Sequence, residues 1–420
     1  MLFWTASAVP RMAHGYPLEV TETRVASRRR VFITGVGPLS AIGSGRQRFW
    51  AALLAGTDGS SRVTRFDTSG YRVHRACELR GFVPPAGTEH MGPISQYAIA
   101  AGALALSDAG LTAEQVQRAG VVIGTTGGDL PVLERIQRRR QSGAEEVPED
   151  FHQLAAHAIA ANVGRRLGLG GPNQVVAGAC AAGNYALTVA YEWIQSERAE
   201  RVLAGGADPL SPMPFTGFAR LLAIAPDVCR PFDKNRKGIL LGEGAGLLVL
   251  ESAESARRRG ARVYAELLDY GLSCDAYHAT MPHPEAVGMR NAMHKALAAA
   301  GVAPEDVDYV SAHGTGTRAS DPLECTAVGQ VFARNPGVPI SSIKSMIGHS
   351  LAAASAFEAI SCALAIDTGW IPPTIHHETP DPACDVDCVP NRARERRVRV
   401  TLNNAFAFGG NNCCVVFARA

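Results

Sequence analysis

Short β-branched runs alternate with longer alanine- and leucine-rich stretches along almost the whole chain, and the alternation passes through the same order twice. VFITGVG (31–37), GVVIGTT (120–126), NQVVAGA (173–179), RVLAGGA (201–207), GLLVLE (246–251), VDYVSAH (307–313) and VRVTLNN (398–404) read as strands. ISQYAIAAGALALSDAG (94–110), NYALTVAYEWIQSERA (184–199), GMRNAMHKALAAAG (288–301) and SAFEAISCALAIDTG (355–369) read as helices. Such alternation predicts an α/β architecture with sheets covered by helices. In the first half GVVIGTTGG enters a Gly/Thr loop, NQVVAGAC precedes a helix, and RVLAGGADPL follows. In the second half VDYVSAHGTGT, ISSIKSMIGHS and RVRVTLNNAF take the same places, with little residue identity. The order predicts a duplicated unit of half the chain, with loops of both halves facing one site.

A chain of 420 residues, 46% hydrophobic and 19% charged, can bury a large core. A net charge of +2 argues against a nucleic-acid binder, and no apolar run is long enough for a membrane span. The ten cysteines lack zinc spacing, and their scatter predicts reduced thiols in a cytoplasmic protein. Residues 1–29 read as a flexible extension, 30–260 as the first half and 261–420 as the second.

Four segments carry reactive groups. In VAGACAAGNYAL (176–187), Cys180 stands between a strand and a helix among small residues. A helix N-terminus favours thiolate, so a lowered thiol pKa is expected there. SAHGTGTRASD (311–321) puts His313 at a strand end, with the Thr315 and Thr317 hydroxyls beyond it. SIKSMIGH (342–349) holds Lys344 and His349 ahead of the alanine-rich helix that carries Glu358, a possible partner for Lys344. NNAFAFGGNN (403–412) sets Phe406 and Phe408 before a Gly-Gly turn, as a pocket wall.

Six blocks in order resemble the elongating, two-histidine β-ketoacyl-acyl carrier protein synthases: VAGACAAGNYAL, CRPFDKNRKGILLGEGAGLLVLE, CDAYHATMPHP, SAHGTGTRASDPLE, SSIKSMIGHSLAAASAFEA and NNAFAFGGNN. The resemblance implies the thiolase-like fold, duplicated α/β halves in five layers (αβαβα). It implies that Cys180 is the acyl-accepting nucleophile. His313 and His349 would then support malonyl decarboxylation, with Lys344 and Glu358 as their charged support. It assigns the oxyanion hole to the N–H groups of Cys180 and Phe408, and the pantetheine arm to Thr315 and Thr317. Phe408 matches the residue that gates the acyl pocket; Phe406, Phe218, Leu130, Phe215 and Tyr185 are expected pocket linings. No metal or redox cofactor is implied, since the phosphopantetheine arm comes with the partner acyl carrier protein. A homodimer is implied, or a heterodimer with a chain-length-factor-like subunit.

Several positions depart from the usual pattern: Ala179, Ala181 and Ala182 around the cysteine, Ala352 and Ser355 after His349, and Arg318, Ala407 and Asn411. Alanine at 407 in place of glycine predicts a restricted gate. The reactive positions are all kept, which points to a specialised polyketide or fatty-acid-like pathway. The basic runs 138–140 and 257–259 are candidates for steering an acidic carrier protein. Three alternatives remain at this stage: a starter-unit acyltransferase without condensation, a non-catalytic partner subunit, and a thiolase using Cys413 or Cys414 as a second cysteine.

Overall fold

The computed structural model describes residues 28–420, so the extension expected over 1–29 lies almost wholly outside the described residues. Ten strands form one continuous path of paired strands, whose two halves make the two sheet layers of the duplicated core. The first five are β1 (Val31–Ser40), β2 (Gly120–Thr125), β3 (Asn173–Ala177), β4 (Arg201–Asp208) and β5 (Gly244–Ser252). The second five are β6 (Ala265–Cys274), β7 (Tyr309–Ser311), β8 (Ile340–Ser341), β9 (Val400–Phe406) and β10 (Asn411–Ala418). The spatial order is β8-β7-β9-β10-β6-β1-β5-β4-β2-β3. Counted from the centre outwards, each half runs first, fifth, fourth, second, third strand. The two halves are therefore one topology used twice, as the repeated element order predicts. They join where β1 and β6 pair antiparallel through Val31–Leu267, Phe32–Glu266 and Ile33–Ala265.

The helices used below are α1 (Pro93–Ala109), α2 (Leu130–Ser142), α3 (Ala182–Gln195), α4 (Pro212–Arg220), α5 (Val287–Ala300), α6 (Asp321–Val331), α7 (Lys344–Ile347) and α8 (Ala352–Thr368). The two matching helices, α3 and α8, form the middle layer. Every residue of α8 from Ala352 to Ile366 is buried, which explains a sequence that is apolar all round. One contiguous core wraps α3 and α8 between the sheets, with Leu187, Trp193, Phe357, Ile360 and Leu364 among its members. Separate cores lie under α1 on the outside of the first half and under α5 and α6 on the outside of the second. Helix, sheet, helix, sheet, helix make five layers. The chain ends of β3 and β8, and the loops after β2 and β7, meet at the N-terminal ends of α3 and α8. That junction brings the four reactive segments together.

Candidate active site

Cys180 is placed by a turn too tight for an ordinary strand exit. After β3 the chain makes one 3-10 turn over Ala179–Ala181 and enters α3 at Ala182. Ala179 takes φ 48°, a left-handed conformation that costs an L-residue about 1–2 kcal/mol. The turn seats Cys180 at the head of α3, 5% exposed. The backbone N–H groups of Cys180 and Phe408 favour its thiolate. Burial pushes the thiol up to about 12, while Lys344 pulls it down and Asp208 pushes it further up. The lowering expected from the helix end is thus outweighed: desolvation of a buried thiolate costs more than the helix end and Lys344 return. Cys180 rests as a thiol, with the Cys180 and Phe408 N–H groups available to favour negative charge there.

His313 and His349 face each other edge to face, their ring centroids 5.6 Å apart and the planes at 85°. Both are 3% exposed, whereas a loop histidine is ordinarily solvated. His349 Nδ1 accepts the Leu351 N–H at 3.2 Å, so its ring proton sits on Nε2. His313 Nδ1 lies 3.4 Å from Lys344 Nζ. An ammonium only donates, so His313 also keeps its proton on Nε2. Burial and the Lys344 charge hold both imidazoles well below their usual pKa, and the neighbouring His349 adds to the lowering of His313. Two neutral rings therefore offer Nε2–H donors near the cysteine.

The support behind them is buried and charged. Lys344 Nζ donates to the His313 carbonyl at 2.6 Å and to Glu358 Oε1. Glu358 is pushed up to about 7 by burial, against the pull of Lys344. Glu324, on α6, accepts the His313 and Gly314 N–H groups, each at 2.7 Å. Asp321 accepts the Gly316 N–H at 3.1 Å and the Phe232 N–H at 2.9 Å. It thereby shapes the loop on which Thr315 and Thr317 share a hydrogen bond of 2.9 Å. Sequence reasoning quoted Glu324 within SAHGTGTRASDPLE and gave it no role. Its proximity to Asp321 and the glycine loop was the available signal.

One cavity of about 350 Å³ joins these groups. Cys180, His313, His349, Thr315, Thr317, Phe406, Phe408 and Phe218 all line it, as do Thr280, Met281 and Asn412. Phe218 stacks on Phe408 at 5.6 Å and 29°. Three expected linings lie outside this cavity. Leu130 begins α2 and packs over Gly127. Phe215 is buried in a separate core against Phe66 and Tyr71. Tyr185 leans on the central core beside Gly178. Cys413 and Cys414 are buried in β10, and neither lines the cavity. Ala407 sits in its conformation without strain. Its φ is −111° and ψ 160°, extended backbone that alanine adopts freely. The left-handed positions fall on Gly409 and Gly410, at φ 78° and 73°. Asn411 holds the loop through a 3.3 Å bond to the Phe408 carbonyl, and Ser355 Oγ accepts the Asn184 N–H at 3.1 Å. The basic runs are largely spent internally: Arg140 on Glu146, Arg139 near Asp150, Arg258 on Glu200, Arg259 on Glu251.

A cysteine whose thiolate two N–H groups favour, beside paired neutral imidazoles in a duplicated five-layer fold, defines a condensing enzyme of the thiolase-like class. Residues 28–256 match the family model of the β-ketoacyl synthase N-terminal domain, and residues 264–378 that of the C-terminal domain. The chain belongs to the β-ketoacyl synthase family, and its activity is that of a condensing acyltransferase. It is 38% identical to 3-oxoacyl-[acyl-carrier-protein] synthase 2 of Staphylococcus aureus (strain COL), over 94% of this chain and 99% of that one. It is 39% identical to the Coxiella burnetii enzyme of the same name, over 93% and 99%. Among solved structures it is similar to the ishigamide ketosynthase/chain length factor, with TM-score 0.90 and 43% identity over 94% of this chain and 100% of that one. The ketosynthase of AntDE:AntF, a type II PKS acyl-carrier protein in complex with its ketosynthase bound to the hexaketide, gives 0.86 and 32% over 94% and 100%. Among the described residues no helix is long and apolar enough to cross a membrane.

Proposed function

We propose that the chain is the catalytic ketosynthase of a specialised polyketide or fatty-acid-like pathway, acting with an acyl carrier protein. Cys180 takes an acyl group from the carrier's phosphopantetheine thioester, the pantetheine sulfur leaves as a thiol with the proton Cys180 gives up, and the Cys180 and Phe408 N–H groups stabilise the tetrahedral oxyanion. A second, malonyl-loaded carrier then enters. Its carboxylate leaves as CO2, and the electron pair left behind delocalises onto the thioester oxygen as an enolate. The Nε2–H groups of His313 and His349 donate to that oxygen, where the charge develops. The carbanion attacks the Cys180 thioester, the thiol is released, and a β-ketoacyl carrier protein departs. Lys344 and Glu358 keep both rings neutral and aimed. Thr315 and Thr317 receive the pantetheine arm, which the carrier brings with it; the reaction as written calls for no resident cofactor.

The observation that carries this reading is the pair of neutral histidines, each with Nδ1 occupied and Nε2–H directed with Cys180 into one cavity. A starter-unit acyltransferase needs no such pair. The pathway assignment is favoured by 43% identity to a ketosynthase/chain length factor structure, against 38% and 39% to 3-oxoacyl-carrier protein synthases. A dimer, with itself or with a chain-length-factor-like subunit, follows from those relatives. All ten cysteines are free, which suits a reducing cytoplasm. The test is intact-mass analysis of carrier-bound products from the chain alone and with candidate partner subunits. One two-carbon extension from the chain alone, and repeated extension only with a partner, supports the assignment. Efficient elongation of ordinary saturated fatty acyl carriers by the chain alone refutes it.

A further inference from the structure

We propose that Asp208 is a positioning residue for the decarboxylation step, fixing the tautomer and aim of His349 through the Leu351–Ala352 turn; this rests on the function proposed above. Asp208 ends β4 and is 2% exposed. Its carboxylate accepts the Ala352 N–H at 2.7 Å, the Thr125 hydroxyl at 2.8 Å and the Thr126 N–H at 3.1 Å. Ala352 is the first residue of α8, and it is clasped on its other side too. A Cβ on Gly183 would stand 2.6 Å from the Ala352 carbonyl oxygen, and one on Gly206 would stand 2.2 Å from it. Side chains at either position would drive α8 away.

The other end of the turn is equally fixed. The His349 N–H donates to the Leu240 carbonyl at 2.6 Å, and the His349 carbonyl accepts the Gly242 N–H at 3.0 Å. Two residues must close the gap between these anchors. They do so with Leu351 at φ 53° and ψ −120°, a conformation that a leucine keeps only where its surroundings impose it. That conformation is what turns the Leu351 N–H onto His349 Nδ1. Without the Ala352–Asp208 bond, Leu351 relaxes, its N–H leaves Nδ1, and the ring loses both its fixed tautomer and its fixed direction.

Asp208 has a second, opposite effect. Its charge disfavours the Cys180 thiolate, so removing it favours acyl loading while harming decarboxylation. A residue that merely held the fold would slow both half-reactions together.

The experiment compares wild type with Asp208→Asn and Asp208→Ala, after thermal melts confirm folding. Two rates are read: acyl transfer from an acyl carrier protein onto Cys180, and CO2 release when the acyl-enzyme meets malonyl carrier protein. Loading is expected at or above the wild-type rate. CO2 release is expected to slow about tenfold or more, a share of the ~10²–10³ that one lost oxyanion donor costs. NMR of 15N-histidine-labelled protein provides an independent arm: wild-type His349 is expected with an unprotonated Nδ1, and the variants with that signal shifted or averaged. Equal losses in both rates, or an unchanged His349 nitrogen signal, overturn the proposal. If wild type itself neither loads nor releases CO2, the functional reading fails instead, and the NMR arm still decides whether Asp208 sets the tautomer.

Discussion

Replacing Lys344 by methionine removes the positive charge paired with buried Glu358, and the structure sets the cost. Both side chains are fully buried. Already with Lys344 in place, burial pushes Glu358 up to about 7 from 4.5. Without the lysine the carboxyl stays protonated in the folded protein at neutral pH, while in the unfolded chain it ionises. Holding a proton on it costs about 1.4 kcal/mol for each pH unit above its free value, or about 3 kcal/mol at pH 7. The sign follows from the raised folded pKa: the folded state binds the extra proton, so stability falls as pH rises. Wild type already carries that cost up to pH 7, because its own Glu358 is raised to about 7; relative to wild type, Lys344→Met is therefore expected to lose almost nothing at pH 5.5 and about 1.4 kcal/mol at pH 8, about one pH unit above the wild-type value. Lys344→Met/Glu358→Gln removes the titrating group, so it is expected to lose this pH dependence and to be more stable at pH 7 than the single variant. Urea unfolding of wild type, both singles and the double at the two pH values measures this. A pH-independent loss in Lys344→Met, or additive losses in the double, would refute the reasoning. Decarboxylation is expected to fall in Lys344→Met by about tenfold or more, because His313 Nδ1 loses the donor that fixes its ring.

Alkylation of Cys180 by iodoacetamide in the empty site is expected to rise about tenfold per pH unit between pH 7 and 9, because its thiol is pushed up to about 12; a plateau below pH 8 would show that the helix end wins after all. Gly206→Ala is expected to lose about 2–3 kcal/mol in the same unfolding assay, since its Cβ would meet backbone and not a movable side chain. Glu324→Ala strands the His313 and Gly314 N–H groups in a buried loop, and is expected to cost about 2 kcal/mol or more of stability, with Glu324→Gln recovering part of it.

The duplicated topology was visible in the order of strand-like and helix-like segments, because a fully buried helix such as α8 and strands such as β4 leave apolar runs that local pattern can find. The reactive residues Cys180, His313, Lys344, His349 and Glu358 stood out for a different reason: each sits in glycine- or alanine-rich sequence, where a reactive side chain has little competition. Asp208 and Glu324 were not legible as functional. Asp208 acts through the Ala352 N–H, 144 residues away, and Glu324 through the His313 and Gly314 N–H groups, 11 and 10 residues away, and the sequence does not show that a carboxylate will meet such backbone partners. Leu130, Phe215 and Tyr185 lie outside the cavity that joins Cys180 to the histidines, because apolar side chains fit a core as well as a pocket, and only the packing of α2, α4 and α3 decides between them. The thiol of Cys180 was misjudged because sequence shows the helix that would acidify it but not the depth of burial that opposes it.

The most direct test of the central claim uses Cys180 acyl-enzyme, isolated free of donor, mixed once with malonyl carrier protein carrying a labelled carboxylate. Stoichiometric release of labelled CO2, loss of the acyl group from Cys180 and a β-ketoacyl carrier protein two carbons longer than the loaded acyl group are expected, with none of these in Cys180→Ala. Transfer of the unchanged acyl group to the carrier without CO2 release would contradict the account and leave an acyltransferase on a condensing-enzyme fold.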